Sequence, residues 1–523
     1  MLRSRFIPMI LSLLLGGLMP LSFAPFNLAM IAPFALVGLL FLVQERSAKF
    51  SALLGILFGF GMFSWGIWWI RISLIEFGGA PVIVGVLITF LLAFYLSFYY
   101  GILLFVLAKI RGSVAFKIGI IFPLLAVILE WIRTELFTGF PWLALGYTLT
   151  DLPISQLLFP EMGALMASFW VYWLAGVLFV TARIFLRIDT DSKVKKAKGI
   201  RCIVGQLMPA CCSMLLMGGA LFVSSLWISQ KVEKLEESLN VALLQGNIAQ
   251  ELKFNEAQYY EIIATYLRLT DVVASRADLI IWPETAIPSL YEMEGNLGEH
   301  LRALSKNQQT QVMTGIFSGN GATVRNSIIT YSDEMRMYDQ RYDKTHLVPF
   351  GEYIPFRSFL SLFSGMIEIP YSDLTAGKVE QSPFEIQKKN GAALFAAASI
   401  CYEAVFGNEL RYQAQTANFL VNVSNDAWFG DSIGPWQHFQ IARARAIEAQ
   451  REMVRATNNG ITALIGKDGQ VKDLLPQFKE AVLEVNVTSY AGMTTYAKLG
   501  DLFWGLLAVI GLVMGLFWQR RQM

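Results

Sequence analysis

Apolar runs of about 20 residues, enough for a helix to cross a bilayer, recur along the first 230 positions. They lie near 6–24, 26–43, 51–70, 82–108, 115–136, 163–186 and 204–228, with another near 500–518. From about 238 the texture changes, and short β-branched runs alternate with amphipathic stretches, the pattern of an α/β domain. Strands are predicted at 241–247, 278–284, 311–317, 325–332, 393–403, 418–426, 452–460 and 481–487, and helices at 255–275, 295–306, 404–415 and 436–451. The first run follows Arg3 and Arg5 as a signal peptide would, but it leads into the second run with no small-residue cleavage site. It therefore reads as a retained helix.

Lys and Arg positions predict the orientation. One set of connections holds Arg3 and Arg5, Arg46 and Lys49, Lys109, Arg111 and Lys117, the rich 183–201 loop, and Arg520 and Arg521. The alternate connections hold little beyond Arg71 and Arg133. This alternation requires eight spans with both termini cytoplasmic, and it puts 229–499 outside, in a periplasm-like compartment. The predicted organisation is a bundle of seven transmembrane helices over 1–232, a catalytic domain over 238–490, and an eighth helix with a cytoplasmic tail over 491–523.

Composition agrees with that picture. Hydrophobic residues make up 55% of the chain, charged residues 16%, and mean hydropathy is +0.49, whereas soluble domains carry about 25% charged residues. A net charge of +2 with no basic block argues against a nucleic-acid partner. Cys202, Cys211 and Cys212 lie in or beside one apolar segment, and Cys401 stands alone in the polar half. With three scattered histidines and no cysteines at ligand spacing, neither a metal site nor a cofactor is expected. Glu130, inside the fifth run, is costly there unless paired. A partner in Arg133, one turn away, is preferred over a catalytic role. The loop FTGFPWLALGYT (137–148) reads either as an interfacial aromatic belt or as the lining of a lipid entrance.

Chemistry-bearing side chains gather where predicted strands end. WPET places Glu284 after an apolar strand, YDKTHLVPFGEYIP carries Lys344 and Glu352 on one loop, and ICYE places Cys401, Tyr402 and Glu403 at a strand end. Strand ends in α/β folds converge on one rim. A neutral thiol needs a base or a nearby cation to act as a nucleophile. Glu284 can take its proton, Lys344 and the Tyr402 amide can face a developing oxyanion, and Glu352 can orient Lys344 or Glu284. Singly these are weak signals, since a lone Cys at a strand end is more often core. Their combination and order carry the weight.

WPETAIP, YDKTHLVPFGEYIP, SICYEAVF and VNVSNDAWFG together resemble the carbon–nitrogen hydrolase (nitrilase) superfamily over about 238–490. Seven helices before that domain and one after it make the whole chain similar to the membrane-bound apolipoprotein N-acyltransferases. The resemblance implies an αββα sandwich and a Glu–Lys–Cys triad of Glu284, Lys344 and Cys401. Glu352 would be the supporting carboxylate, and Tyr402 and Glu403 adjacent functional positions. It further implies ping-pong transfer of a fatty acyl group from a phospholipid, through a Cys401 thioester, to the α-amine of an apolipoprotein's diacylglyceryl-cysteine. Phe254 stands where the family pattern has Trp, which keeps an aromatic contact but loses an indole N–H.

The segment 356–377, with Phe359 and Phe363, reads either as a buried helix or as an apolar lid over the lipid site. Two rival functions remain. In a membrane-anchored nitrilase-type amidase, water would resolve the same acyl-enzyme. In a transporter or binding scaffold the hydrolase domain would be inactive, although apart from Glu130 the runs are nearly uncharged.

Overall fold

The structure is a computed structural model. It describes every residue except 1–2, 191–195, 228–229, 322, 334–338, 355–372, 390 and 523. Phe359 and Phe363 of the expected lid lie outside the described residues. The chain divides into two compact units, one of residues 1–68, 86–229 and 499–523, the other of 69–85 and 230–498.

The first unit is helical. Among the described residues seven helices are long and apolar enough to cross a membrane, and Ile31–Val43 is a shorter apolar helix. The second apolar run yields only those 13 residues. Pro20 and Pro25 lack amide donors, and the chain from 19 to 30 turns through a short 3-10 segment, Met19–Ser22, and Asn27 at φ +55°. Glu130 accepts from the Tyr172 hydroxyl at 2.8 Å and from the Leu145 amide at 3.4 Å. Arg133 donates to the Trp142 carbonyl at 2.7 Å. Both charged side chains thus hold the 137–148 loop, whose Trp142 and Tyr147 are 1% and 2% exposed. The loop is inserted in this unit's core rather than spread as a belt.

The second unit is a two-sheet sandwich. Its first sheet contains β1 (Gln230–Gln245), β2 (Leu279–Ile281), β3 (Ile287–Leu290), β4 (Gln311–Asn320), β5 (Thr323–Tyr331) and β6 (Arg341–Asp343). The other contains β7 (Phe384–Gln387), β8 (Ala393–Ile400), β9 (Phe419–Ser424), β10 (Met453–Thr457), β11 (Ala463–Ile465) and β12 (Val471–Leu474), while β13 (Ala481–Met493) returns to pair with β1. Among the described residues the orders are β13-β1-β2-β4-β5-β6, with β3 on β4, and β12-β11-β10-β9-β8-β7. The central pairs β1–β2, β2–β4, β8–β9 and β9–β10 are parallel.

Side chains alternate across a strand, and here both faces are covered. Val241, Leu243, Leu279, Ile281, Ala398, Ile400, Val421 and Val454 meet between the sheets. Their neighbours Ala242, Leu244 and Ile280 turn outward to helices Tyr259–Val273 and Gly295–Gln308. Leu420 and Met453 turn outward to helices Gly407–Ala414 and Gly434–Ala449. Each fully buried Val, Leu or Ile contributes about 1.5–3 kcal/mol, so the three layers of contact define an αββα sandwich. The strands that the β-branched runs did not mark, β3, β6, β7, β11 and β12, are three or four residues long, and β12 is largely exposed. Such short strands carry too few periods to register.

Residues 69–85, which hydropathy places between two membrane runs, pack with the sandwich. Trp69 Nε1 donates to Gln437 at 3.1 Å, its ring meets Phe429 edge-on, and Ser73 donates to the Trp428 carbonyl.

Candidate active site

Strand ends build the site. β2 runs into Pro283 and Glu284, β6 into Lys344, β8 into Cys401, and β9 into Asn425. The parallel pairing of β8 with β9 puts Cys401 and Asn425 at the same rim. Cys401 is buried and sits at φ +50°, a left-handed conformation costing a non-glycine residue roughly 1–3 kcal/mol. Its surroundings hold that turn. Glu403 Oε2 accepts the Ile400 amide at 2.6 Å, and His438 Nε2 lies 3.0 Å from the Cys401 carbonyl oxygen.

Glu284 makes a similar sharp exit, with Thr285 at φ +47°. The strand beside it must be bare. A Cβ on Gly315 would lie 2.4 Å from the Thr285 nitrogen and 2.6 Å from Glu284 Cα. The Glu284 carboxylate is held by three donors: the Asn425 amide on Oε2 at 2.9 Å, Asn326 Nδ2 on Oε1 at 2.8 Å, and Lys344 Nζ on Oε1 at 3.5 Å.

Lys344 is 1% exposed, and its ammonium donates to Glu352 Oε1 at 2.8 Å. Burial works against its charge, but Glu352 and Glu284 outweigh it and hold the ammonium well above the usual lysine range. Glu352 is itself fixed by the Val348 amide at 2.8 Å and Asn326 at 3.0 Å. Asn326 thus bridges the two carboxylates that flank Lys344. Charge-assisted bonds of this kind are roughly twice as strong as neutral ones.

Cys401 falls within electrostatic reach of both Glu284 and Lys344. Burial and the Glu284 charge push its thiol up to about 12, while Lys344 pulls it down. The resting sulfur is therefore protonated, and a thiolate forms only when a base takes the proton as the bond to carbon forms.

Glu403 makes its bonds to the residues beside Cys401 and Lys344. Its Oε1 accepts from the Thr345 amide at 2.5 Å, the Thr345 hydroxyl at 2.8 Å, the Tyr342 hydroxyl at 3.0 Å and the His346 amide at 3.3 Å. Burial raises its pKa, and the Ile400 amide, the Lys344 charge and Thr345 draw it back. It ties the strand carrying Lys344 to the turn carrying Cys401. Tyr402 is buried edge-on to Phe406 and near His346. Phe254 is half-buried and stacks on Phe317, their centroids 6.3 Å apart.

Several contributors were not evident from the sequence. Asn326 lies within β5 among Thr, Arg and Ser, and Asn425 follows the last residue of β9 inside the VNVSNDAWFG motif, the one signal that could have marked it. Behind Cys401, Asp426 accepts from Arg455 at 2.9 Å and lies 3.1 Å from His438 Nδ1, all three side chains fully buried. Lys253, 4% exposed, donates to the Glu284 carbonyl at 2.8 Å. Nothing in its local sequence separates it from a surface lysine.

Comparison with known proteins gives the family of the chain. Residues 240–496 match the Carbon-nitrogen hydrolase family, and residues 15–177 match the Apolipoprotein N-acyltransferase N-terminal domain. The chain is 34% identical to the apolipoprotein N-acyltransferase of Pasteurella multocida (strain Pm70), over 95% of this chain and 92% of that protein. It is 34% identical to the one from Methylococcus capsulatus (strain ATCC 33009 / NCIMB 11132 / Bath), over 98% and 96%. For Vibrio cholerae serotype O1 (strain ATCC 39315 / El Tor Inaba N16961) the identity is also 34%, over 97% and 96%. The chain belongs to the apolipoprotein N-acyltransferase family.

Proposed function

We propose that this chain transfers a fatty acyl group from a phospholipid to the α-amine of an apolipoprotein's N-terminal diacylglyceryl-cysteine, in two steps through a thioester on Cys401. Family membership makes the chain an N-acyltransferase acting in a membrane setting. The donor, the thioester and the residue roles are the proposal. One observation carries it: the Lys344 ammonium is held between Glu352, at 2.8 Å, and Glu284, at 3.5 Å, within electrostatic reach of a buried sulfur on a strained turn.

In the first step Glu284 takes the thiol proton as sulfur bonds to the ester carbonyl carbon, and the carbonyl π electrons move to oxygen. The Lys344 charge, with the Tyr402 amide, faces that oxyanion. Collapse breaks the carbon–oxygen bond, and the departing lysophospholipid oxygen takes the proton back from Glu284. In the second step the acceptor amine attacks the thioester and gives a proton to Glu284. The thiolate then leaves and is reprotonated. Glu352 keeps Lys344 in place throughout. The positive-inside pattern supports a periplasmic catalytic domain with both termini in the cytoplasm.

Labelled phospholipid and a diacylglyceryl lipopeptide with a free amine test the reading. Label should appear as an amide on the peptide. Release of labelled fatty acid alone would instead make the protein a hydrolase.

A further inference from the structure

Lys253 has no part in the mechanism above, yet it lies inside the site. It is 4% exposed, and among the described residues its ammonium donates one hydrogen bond, to the backbone carbonyl of Glu284 at 2.8 Å. An ammonium has three donors, and a buried charge met by one neutral acceptor is costly unless other charges answer it. The Glu284 carboxylate faces it, as does the sulfur of Cys401, and the carboxylate charge, joined by the sulfur's once it ionises, favours the protonated form of Lys253. The neighbouring cluster also needs a second cation. Glu284 and Glu352 are two carboxylates sharing the single ammonium of Lys344, while Asp426, another acid near Cys401, is already paired with Arg455, and Glu403 is held by the Ile400 and Thr345 amides.

We propose that Lys253 is the second cation of the acyl-transfer site, balancing the Glu284–Lys344–Glu352 cluster and stabilising the negative charge that develops at Cys401. The inference rests on the acyl-transfer reading, but its test can be separated from that reading.

Burial brings the Lys253 ammonium down to about 8, against the pull of Glu284 and Cys401. The cation is therefore present at neutral pH and lost in mild alkali. Lys344, held above the ordinary lysine range, does not titrate there. While Lys253 is charged it lowers the cost of the thiolate, and once it is neutral that help disappears. The logarithm of the Cys401 alkylation rate should rise with pH and bend over near 8.

The experiment follows iodoacetamide alkylation of the full-length protein in detergent against pH. It is read on the Cys401 peptide, so that alkylation of the exposed Cys211 and Cys212 is not counted. Lys253→Gln keeps a donor for the Glu284 carbonyl and removes the charge, and Lys253→Arg keeps the charge. The expected result is a bend in the wild type that is absent from both variants. The Gln variant should be about tenfold slower at pH 7, one unit of thiol pKa, and the Arg variant should recover most of that loss. A wild type with no bend, or a Gln variant with the wild-type rate and bend, overturns the proposal and leaves Lys253 as a brace for a carbonyl. The wild-type profile needs no variant to fold. Phospholipid is offered to the same samples in parallel. A thiol that alkylates with the predicted profile but never takes an acyl group sinks the acyl-transfer reading alone. A thiol that takes the acyl group and shows no bend sinks the Lys253 inference alone.

Discussion

The imidazole Nε2 of His438 lies 3.0 Å from the carbonyl oxygen of Cys401, so the residue that fixes the turn at the sulfur comes from a helix 37 positions further along the chain. Burial, and then the Arg455 charge, hold His438 below its ordinary value. The ring is neutral, and its N–H donates to that carbonyl. Removing the ring leaves a buried oxygen unsatisfied beside a strained residue. His438→Ala is expected to cost about 2–3 kcal/mol of stability and to slow acylation by about 10²-fold through misplacement of the sulfur. Thermal unfolding and a single-turnover acylation assay on the same preparation measure the two effects.

The same histidine makes stability fall on acidification. Its folded-state pKa is depressed, so the unfolded chain binds a proton first as pH drops. The stabilisation is present above the unfolded value of about 6.5 and is lost as pH falls below it. Asp426, also held well below its usual range, against burial, chiefly by the Arg455 charge, extends the loss further into acid. Unfolding midpoints between pH 8 and pH 5 should decline, and the part of the decline nearest neutrality should be missing in His438→Gln.

Gly315 is expected to be intolerant for a reason unconnected with its own flexibility. A methyl group there would meet the backbone of Glu284 and Thr285 at 2.6 and 2.4 Å, and backbone cannot swing aside. Gly315→Ala should displace the base, reducing activity by about 10²-fold for an overpacking cost of about 1–3 kcal/mol. Activity that falls no further than stability would contradict this.

Glu403→Gln separates support from chemistry. The carboxylate accepts on both oxygens, from Ile400 on one and from Thr345, Tyr342 and His346 on the other. An amide must turn its NH₂ toward one of those groups of donors. A stability loss of about 1–3 kcal/mol is expected, with slowed acylation. Cys401 should remain open to alkylation, because Glu284 and Lys344 are untouched.

What the sequence made legible was short-range. The short β-branched runs of β1, β4, β8 and β9 and the membrane-length apolar runs could be read because each signal lies within ten or twenty consecutive residues. Glu284, Lys344, Glu352 and Cys401 stood out through the wording of their motifs. The bonds among them did not, since Asn326 bridging Glu284 and Glu352, or the Asn425 amide on Glu284, depends on which strands pair and in what register. Lys253 and His438 were hidden for a related reason. Each is buried against a strand end more than thirty residues away in the chain, a contact that no stretch of local sequence encodes.

The most direct test is intact-protein mass spectrometry after incubation with phospholipid and no acceptor. The account predicts a hydroxylamine-labile mass increase of one fatty acyl group on the peptide containing Cys401. It should be absent from Cys401→Ala and discharged when an amine-bearing lipopeptide is added. An acyl adduct that persists in Cys401→Ala, or N-acylation of the lipopeptide by that variant, would contradict it.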